Sequence, residues 1–438
     1  MNLLTSDIKK VYRKYMFSAF GSAIITSIYS MVDIICVGQY EGKVGAAALA
    51  CITPMWSIFI SMGMLFGIGG AVRMSFCRGE GRKKEGDRYF TAALVSALAL
   101  SAMVCVGTLL FGEEILRLFG ADDTLLPCAM AYTQWVFPVM PCFMVAQVLS
   151  AFIRNDGAPM LCTGAILTGG ILNMILDVLL VFGFDMGASG AGLATAIGQI
   201  VATLILCSYF LQKRCGLRLM RVRGFFRLAF EALQAGFAPF VLDISYGIAV
   251  ALFNNQIMRY GSDVELAVYG TVSSIALMFQ CLFYGVGQAL QPIASVNYGA
   301  GEHERVRQVF RLAMGSAGGM GGLFFLGSEL VPGPMLRLYM DVDESVMAVG
   351  PGIIRAYAVS FLLMGVNIVA SYYLQSILQS GKSVLLSLSR GFVCCALFLY
   401  ALPLVFDLGG IWWTMPLTEL CTFVLALGVM KPRKQGLL

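Results

Sequence analysis

Charged residues are scarce in this chain of 438 residues: only 13% are Asp, Glu, Lys or Arg, whereas soluble domains carry about 25%. Histidine is scarcer still, because His303, in the charged segment GEHERVR, is the only one. A single histidine in a charged loop excludes histidine-dependent catalysis and histidine-ligated metals inside a membrane. The sequence also lacks a GxxxxGK[ST] motif, so ATP hydrolysis by a phosphate-binding loop has no support.

Cysteine is present, with 13 residues, but no two cysteines form a CxxC pair. Most stand alone inside apolar runs, which is typical of small hydrophobic residues in membrane helices and argues against a disulfide framework or a metal site. No cluster of nucleophile, base and metal ligands occurs either. We therefore predict that the chain is not an enzyme and needs no cofactor beyond a coupling ion.

Long hydrophobic runs dominate what remains, since 58% of the residues are hydrophobic. A helix needs about 20 apolar residues to cross the hydrocarbon core of a bilayer. The sequence predicts an all-α membrane protein with twelve such segments. They are roughly 15–38, 46–72, 89–111, 127–150, 159–182, 188–211, 230–258, 266–295, 309–331, 347–374, 384–406 and 409–430.

The basic residues predict how these helices are oriented, because cytoplasmic loops of membrane proteins are enriched in Lys and Arg. Most basic residues fall in the N-terminus, the even-numbered loops and the C-terminus, as in Arg78 to Arg88, Lys213 to Arg227 and Lys431 to Lys434. The opposite loops are acidic instead, with Glu113, Asp122, Asp341 and Asp343. We expect both termini to be cytoplasmic in a multi-pass protein of the inner (plasma) membrane. The net charge of +5 then reflects topology and lipid contact and implies no nucleic-acid partner.

The two halves of the chain resemble each other. Three pairs of segments match in the same order about 220 residues apart: 67–79 with 285–299, 150–160 with 374–384, and 187–199 with 406–419. We predict two pseudo-symmetric six-helix lobes, an N-terminal lobe over residues 1–212 and a C-terminal lobe over 230–438, joined by a basic cytoplasmic linker at 213–229. Transporters built from such repeats bind substrate between the lobes and rock them to alternate access.

Polar residues form two pairs within adjacent apolar runs. Asn173 and Asp177 are one helical turn apart, and after a glycine-rich bend Thr195 and Gln199 are again one turn apart. A charge at bilayer depth is costly and persists mainly where it faces a wet or protein-lined cavity. The two pairs therefore predict a functional cavity.

Four motifs, in five of the predicted helices, resemble those of the multidrug and toxic compound extrusion family. They are YSMVDIICVG at 29–38, the stretch 173–199, the segment from Gln291 to Ala300, and Gly410-Ile411-Trp412 with Pro416 and Glu419. The resemblance spans nearly the whole chain. It implies a twelve-helix, two-lobe antiporter that expels bulky, often cationic and lipophilic compounds in exchange for protons or sodium ions.

The resemblance also implies where the coupling ion binds. Carried over position by position, the family's cation-coupling cluster falls on Asp33, Asn173, Asp177 and Thr195. Two carboxylates in one desolvated pocket cannot both remain ionised at low cost, so the pair can take up and release a proton. The same oxygens suit Na⁺, and the residues do not choose between the two ions. A further acid, Asp243, is the nearest candidate for a second-lobe group.

Other polar residues on the predicted helices are candidates to line a substrate cavity, although hydrogen bonds between helices are the commoner role of such groups. The candidates for substrate binding are Tyr29, Gln147, Gln199, Asp243, Asn255, Gln256, Gln280, Gln288 and Asn367. For Glu419 we favour a structural role. The basic residues Arg154, Arg355 and Arg390 are expected near helix ends, with none in the middle of a span.

Two alternatives stay open at the level of the sequence. The first is a flippase for lipid-linked sugars from the same superfamily, which calls for a more cationic cavity to hold a pyrophosphate. The second is a membrane-embedded enzyme, which calls for a clustered catalytic motif that we do not find. We expect a monomer whose partners are small lipophilic or cationic drugs and the lipid bilayer.

Overall fold

The computed structural model describes residues 3–339 and 342–431, without the side chains of residues 27, 30 and 54. The described residues form helices joined by turns and by a longer non-helical segment at 212–224, and they contain no strand. Helices satisfy every backbone hydrogen bond internally, as an apolar chain in lipid requires. Parts of the predicted acidic and basic loops, including Asp341, Arg433 and Lys434, lie outside the described residues.

Eleven helices in the described part of the chain are long and apolar enough to cross a membrane. Two short helices connect some of them, α3 (Gly112–Leu118) and α10 (Pro332–Tyr339). The long helices are α1 (Ile8–Gly79), α2 (Lys83–Leu110), α4 (Leu126–Asn155), α5 (Pro159–Gly183), α6 (Gly187–Leu211), α7 (Phe225–Tyr260), α8 (Asp263–Gly299), α9 (His303–Leu330), α11 (Glu344–Ser376), α12 (Ser380–Ala401) and α13 (Pro403–Met430).

The first helix, α1, is a hairpin of two helical arms. Gly42 interrupts it with φ 68°, a conformation that favours glycine. A Cβ atom on Gly38 would lie 3.4 Å from the Cβ atom of Ala46, a contact that a straight helix cannot make. The two arms of α1 and the ten other long helices therefore provide twelve crossings within the described residues, which agrees with the predicted number.

The chain divides into two compact units. Unit 1 consists mainly of Arg13–Phe240, and unit 2 consists mainly of Val241–Tyr298 and the residues from Glu302 onward. The division falls inside α7, between Phe240 and Val241. The helix itself begins at Phe225, within the segment predicted as a linker.

Turns of the same geometry recur in the two halves of the chain. Before α5, Gly157 has φ 93° and Ala158 N donates to Ile153 O at 3.1 Å. Before α12, Leu378 has φ 59° and Gln379 N donates to Leu374 O at 2.8 Å. Leucine is disfavoured in this left-handed conformation, at a cost of about 1–2 kcal/mol, so tertiary structure must impose it. The sequence match of 150–160 with 374–384 thus corresponds to the same turn in the backbone.

Candidate functional site

A buried polar cluster surrounds Asp33 in unit 1. Tyr132 donates its hydroxyl to Asp33 Oδ2 at 3.1 Å, and Thr195 donates its hydroxyl to the same oxygen at 3.0 Å. Asn173 Nδ2 lies 3.2 Å from Asp33 Oδ1 and 3.4 Å from Asp177 Oδ1. The structure thus brings the four residues of the predicted coupling cluster together, while their role stays a prediction.

The two acids of this cluster differ in their hydrogen bonding. Asp33, 6% exposed, accepts from three donors, whereas Asp177 is fully buried and its Oδ2 has no hydrogen-bond partner among the described residues. The carbonyl oxygen of Asn173 has none either. The carboxyl groups of Asp33 and Asp177 also lie within hydrogen-bonding range of each other. No Lys, Arg or His in the described residues pairs with Asp33 or Asp177, so the cluster carries uncompensated negative charge whenever both acids are ionised.

Glycines allow the helices around Asp33 to approach closely. A Cβ atom on Gly198 of α6 would lie 2.7 Å from the Gly169 carbonyl oxygen and 3.0 Å from Asn173 Cβ. A Cβ atom on Gly192 would collide with the carbonyl of Tyr132. Small residues permit such close backbone contact between membrane helices. The glycine-rich start of α6 therefore brings Thr195, Asn173 and Tyr132 to one point.

The first arm of α1, which carries Asp33, is fixed to the α5 and α6 segment at both ends. At its start, Ser18 Oγ lies 2.5 Å from Thr163 Oγ1 and donates to Pro159 O at 2.8 Å. Beyond Asp33, the Tyr40 hydroxyl donates to Asp185 Oδ1 at 2.6 Å. A π-helical turn at Val178–Gly183 directly follows Asp177, and such turns are frequent at functional sites.

Three of the predicted substrate-binding residues lie in unit 1, and only Tyr29 lies near the cluster, one turn before Asp33 and against Gly170. Gln199 does not join Thr195 at Asp33. Its Nε2 instead faces Cys142 O and Thr203 Oγ1 at 3.5 and 3.4 Å. The half-buried Gln147 packs against Gly63 and Gly67.

Unit 2 contains a buried ion pair that the sequence analysis missed. Arg390 Nε lies 2.7 Å from Glu419 Oε1, and the two side chains are 7% and 0% exposed. The expectation that Arg390 lies near a helix end is wrong. The sequence placed this helix at 384–406, whereas α12 runs from Ser380 to Ala401 and puts Arg390 near its middle, in a π-helical turn.

Two of the predicted substrate-binding residues complete this ion pair. Asn367 Nδ2 donates to Glu419 Oε2 at 2.7 Å and to Glu419 O at 2.8 Å. Arg390 Nη2 donates to Gln280 Oε1 at 3.3 Å, and Gln280 Nε2 donates to the Tyr284 hydroxyl at 2.7 Å. Asn367 and Gln280 therefore hold other side chains in place, which is the commoner role of such residues.

The remaining predicted substrate-binding residues occupy different surroundings. Asp243 is half-buried, and the described residues offer its carboxylate neither a hydrogen-bond donor nor a cation. Asn255 is exposed, Gln256 is buried with an unpartnered Oε1, and Gln288 is half-buried. The structure does not gather these residues into one site.

A small cavity of about 30 Å³ adjoins the ion pair, and its lining includes Arg390, Gln280, Ser245, Tyr246 and Tyr357. This volume is enough for one or two water molecules.

Tyr132, in the cluster around Asp33, is another residue that the sequence did not indicate. It is one of 17 tyrosines and stands in an apolar helix with no polar neighbour one turn away that would mark it. Only the packing of α4 against α6 at Gly192 places its hydroxyl beside Asp33.

Comparison with known proteins places the chain among transporters. It is 25% identical over 404 residues to the multidrug export protein MepA of Staphylococcus saprophyticus, covering 91% of this chain and 88% of that protein. It is 29% identical to the multidrug transporter DinF-BH, solved in complex with a rhodamine dye, with a TM-score of 0.90 and coverage of 98% and 96%. It also shares its fold, with a TM-score of 0.90 at 20% identity and coverage of 98% and 96%, with a Pyrococcus furiosus transporter whose binding pocket is described as having reverse polarity, suggesting a different function.

A profile of the MatE family matches this chain twice, over residues 19–179 and 240–400. The matched segments cover most of the chain, and each lies in one half of the repeat. This multi-pass plasma membrane protein therefore belongs to the MatE family.

Proposed function

We propose that this protein is a multidrug efflux antiporter that exports bulky lipophilic cations in exchange for protons. The observation that carries the proposal is the buried carboxyl pair of Asp33 and Asp177, which has no basic partner among the described residues. The names of MepA and DinF-BH, relatives over nearly the whole chain, support export of drugs.

The acid pair suits ion coupling because a bare charge inside a membrane is unstable. Uptake of one cation removes one of two like charges held in contact, and its release restores the repulsion. The cluster thus favours a loaded state, and any change in the packing of α1 against α5 and α6 alters how tightly the cation is held. One pH unit across the membrane supplies about 1.4 kcal/mol, and a potential of about 100 mV supplies about 2.3 kcal/mol per charge.

We favour the proton over the sodium ion as the coupling cation. Two carboxyl groups within hydrogen-bonding range of each other are stabilised when a single proton bridges them. Sodium remains the competing hypothesis, because the unpartnered oxygens of Asn173 and Asp177 are the hard donors that this ion prefers.

We propose that transport proceeds by alternating access of two six-helix lobes with both termini in the cytoplasm. The recurring turns before α5 and α12 and the two-fold match of the family profile support a repeat. The concentration of basic residues at the N-terminus and in the even-numbered loops supports the orientation.

The charges of unit 2 favour a cationic substrate over the pyrophosphate of a lipid-linked sugar. Arg390 is the kind of mid-span cation that a flippase calls for, but Glu419 neutralises it. The half-buried Asp243 has no such partner in the described residues, so this part of unit 2 has a net negative charge when Asp243 is ionised. The transporter with reverse pocket polarity shares the fold, so the fold alone does not indicate a cationic substrate. The acids are what favour one.

Efflux of a cationic rhodamine dye from proteoliposomes under a proton gradient or a sodium gradient tests the proposal. We expect the proton gradient alone to drive efflux, and Asp177→Asn to abolish it while still binding the dye. Efflux driven only by sodium identifies the other ion at the same site. If neither gradient drives efflux, the antiporter proposal is wrong, and flipping of a lipid-linked sugar becomes the function to assay.

A further inference from the structure

Asp243 on α7, Arg390 on α12 and Glu419 on α13 are charged residues of unit 2 that lie far from the ends of their helices. One arginine cannot fully neutralise two carboxylates. In the structure Arg390 pairs with Glu419, and Asp243 has no partner among the described residues. The acid that pairs with Arg390 is neutralised, and the other acid keeps an unpaired negative charge.

Arg390 is connected to the immediate surroundings of Asp243 by hydrogen bonds. Its Nη2 donates to Gln280 Oε1, Gln280 donates to the Tyr284 hydroxyl, and Tyr284 donates to Leu242 O at 3.3 Å. Leu242 directly precedes Asp243. The charges of both Asp243 and Arg390 act on the Tyr284 hydroxyl.

A direct helix contact also joins the residue after Arg390 to the sequence that follows Asp243. Gly391, the next residue after Arg390, packs so closely on Ser245 that a Cβ atom on Gly391 would collide with the serine side chain. Ser245 lies two residues after Asp243. Arg390 is thus linked to the residues on both sides of Asp243, to Leu242 through Gln280 and Tyr284 and to Ser245 through the adjacent Gly391.

Glu419 is well placed to retain the arginine. It is fully buried, and Asn367 fixes it by donating both to its carboxylate and to its backbone carbonyl. A hydrogen-bonded pair of opposite charges at 2.7 Å in an apolar interior is strong. Without Glu419, Arg390 would be a buried cation without a carboxylate partner. Asp243 is the acid beside the residues to which the hydrogen bonds of Arg390 lead.

We propose that Glu419 is a specificity-determining residue that acts through Arg390: by holding the guanidinium, it keeps Asp243 unpaired and able to bind an organic cation. This inference rests on the proposed function, because it assumes a cationic substrate. It gives the pair of Arg390 and Glu419 a role beyond support of the fold. It also predicts that substitution of Arg390 suppresses the effect of substituting Glu419 on cation binding.

Binding of the rhodamine dye to the purified full-length protein, followed by fluorescence anisotropy, tests the inference in four variants. We expect Glu419→Gln to raise the Kd about tenfold, as much as Asp243→Asn, because Arg390 then neutralises Asp243. Adding Arg390→Gln to Glu419→Gln should restore the Kd to within about twofold of the unaltered protein. Glu329→Gln makes the same chemical change at the partly exposed pair of Glu329 and Arg355 and serves as the matched control.

Two results would overturn the inference. One is a Glu419→Gln variant that is folded and binds the dye as the unaltered protein does. The other is a double variant that binds as weakly as Glu419→Gln, which would mean that the loss comes from packing. If Glu419→Gln does not accumulate as folded protein, Arg390→Lys in the Glu419→Gln background retains the cation on a slimmer side chain, and weak binding is again expected.

The failure of the proposed function gives a different result. If the unaltered protein binds no rhodamine dye and no gradient drives its efflux, the cation antiporter proposal fails before any variant is compared. If the unaltered protein binds and exports the dye but Glu419 and Arg390 do not suppress each other, only the further inference fails.

Discussion

The acid pair of unit 1 and the ion pair of unit 2 treat buried charge in opposite ways. In unit 1, Asp33 and Asp177 lie together with hydroxyl and amide donors and with no basic partner in the described residues. In unit 2, Glu419 pairs with Arg390 at 2.7 Å. An uncompensated acid pair changes its charge readily, because proton uptake relieves repulsion, whereas a closed ion pair resists change. This difference is the reason that we propose ion coupling in unit 1 and a fixed electrostatic framework around Arg390 and Glu419 in unit 2.

The sequence match makes this contrast sharper, because Glu419 of the ion pair matches Gln199, which lies outside the acid cluster. The alignment of segments 187–199 and 406–419 ends on Gln199 in one half and on Glu419 in the other. Gln199 makes only long contacts, to Cys142 O and Thr203, whereas Glu419 holds an arginine. The amide of Gln199 thus makes a neutral contact between helices, whereas the carboxylate of Glu419 at the matching position makes a charged one.

The largest effect is expected from removing one of the unpaired acids. Asp177→Asn removes one carboxyl group of a pair that has no basic partner in the described residues. Gradient-driven efflux of the rhodamine dye from proteoliposomes should therefore fall by at least about tenfold, the factor that one pH unit of driving force is worth. Dye binding should persist. Asp123→Asn, at a side chain that is 87% exposed, is the control and should leave efflux unchanged. Normal coupling in Asp177→Asn would remove the contrast between the units.

Removing the arginine of the unit 2 ion pair should instead mainly affect stability. Arg390→Met leaves Glu419 buried without its cation, a change that costs about 3–5 kcal/mol. Thermal unfolding in detergent should show a clear decrease in midpoint. The double variant Arg390→Met with Glu419→Gln should recover most of it, because no buried charge remains. If the double variant is as unstable as Arg390→Met alone, then shape and not charge holds α12 against α13.

The helices and part of the acid cluster leave local signals in the sequence, whereas Asp33 joined the predicted cluster only through the family resemblance. Apolar runs have the length of the bilayer, and Asn173 and Asp177 are one turn apart on one helix. Helix ends are harder to place, since lipid-facing and buried residues are equally apolar. An error of four residues at the start of α12 was enough to move Arg390 from the middle of a helix to its end.

The side chains that complete each site were not predictable in this way. Tyr132 donates to Asp33 across a distance of 99 residues in the sequence, and Arg390 reaches Glu419 across 29. Such contacts depend on how helices pack and not on spacing along one helix. Gln199 shows the reverse error, because its spacing from Thr195 suggested a shared cavity, whereas the side chain faces α4.

Tyr132→Phe tests how far the donors of unit 1 tune its acids. The variant removes the hydroxyl that lies 3.1 Å from Asp33 Oδ2, and a hydrogen bond to a charged group is worth about 1.5–3 kcal/mol. Since that donor favours the ionised carboxylate, its loss should move the midpoint of the pH dependence of efflux to higher pH by about one unit. Tyr15→Phe removes a comparable hydroxyl, which donates to Arg154 O at 3.0 Å, and should leave the midpoint unchanged.

The smallest expected effect comes from the packing that assembles the acid cluster. In Gly198→Ala the new Cβ atom lies 2.7 Å from the Gly169 carbonyl oxygen and 3.0 Å from Asn173 Cβ, so α5 and α6 must separate slightly, at a cost of about 1–3 kcal/mol. Asn173 should then hold Asp33 less firmly, and proton-driven efflux should slow several-fold with dye binding intact. Gly164→Ala on the same α5 meets no atom within 4 Å, and better helix propensity should stabilise it by up to about 1 kcal/mol. If both variants behave alike, close contact between α5 and α6 is not what holds the acids of unit 1 together, and the hydrogen bonds from Tyr132 and Thr195 to Asp33 must suffice.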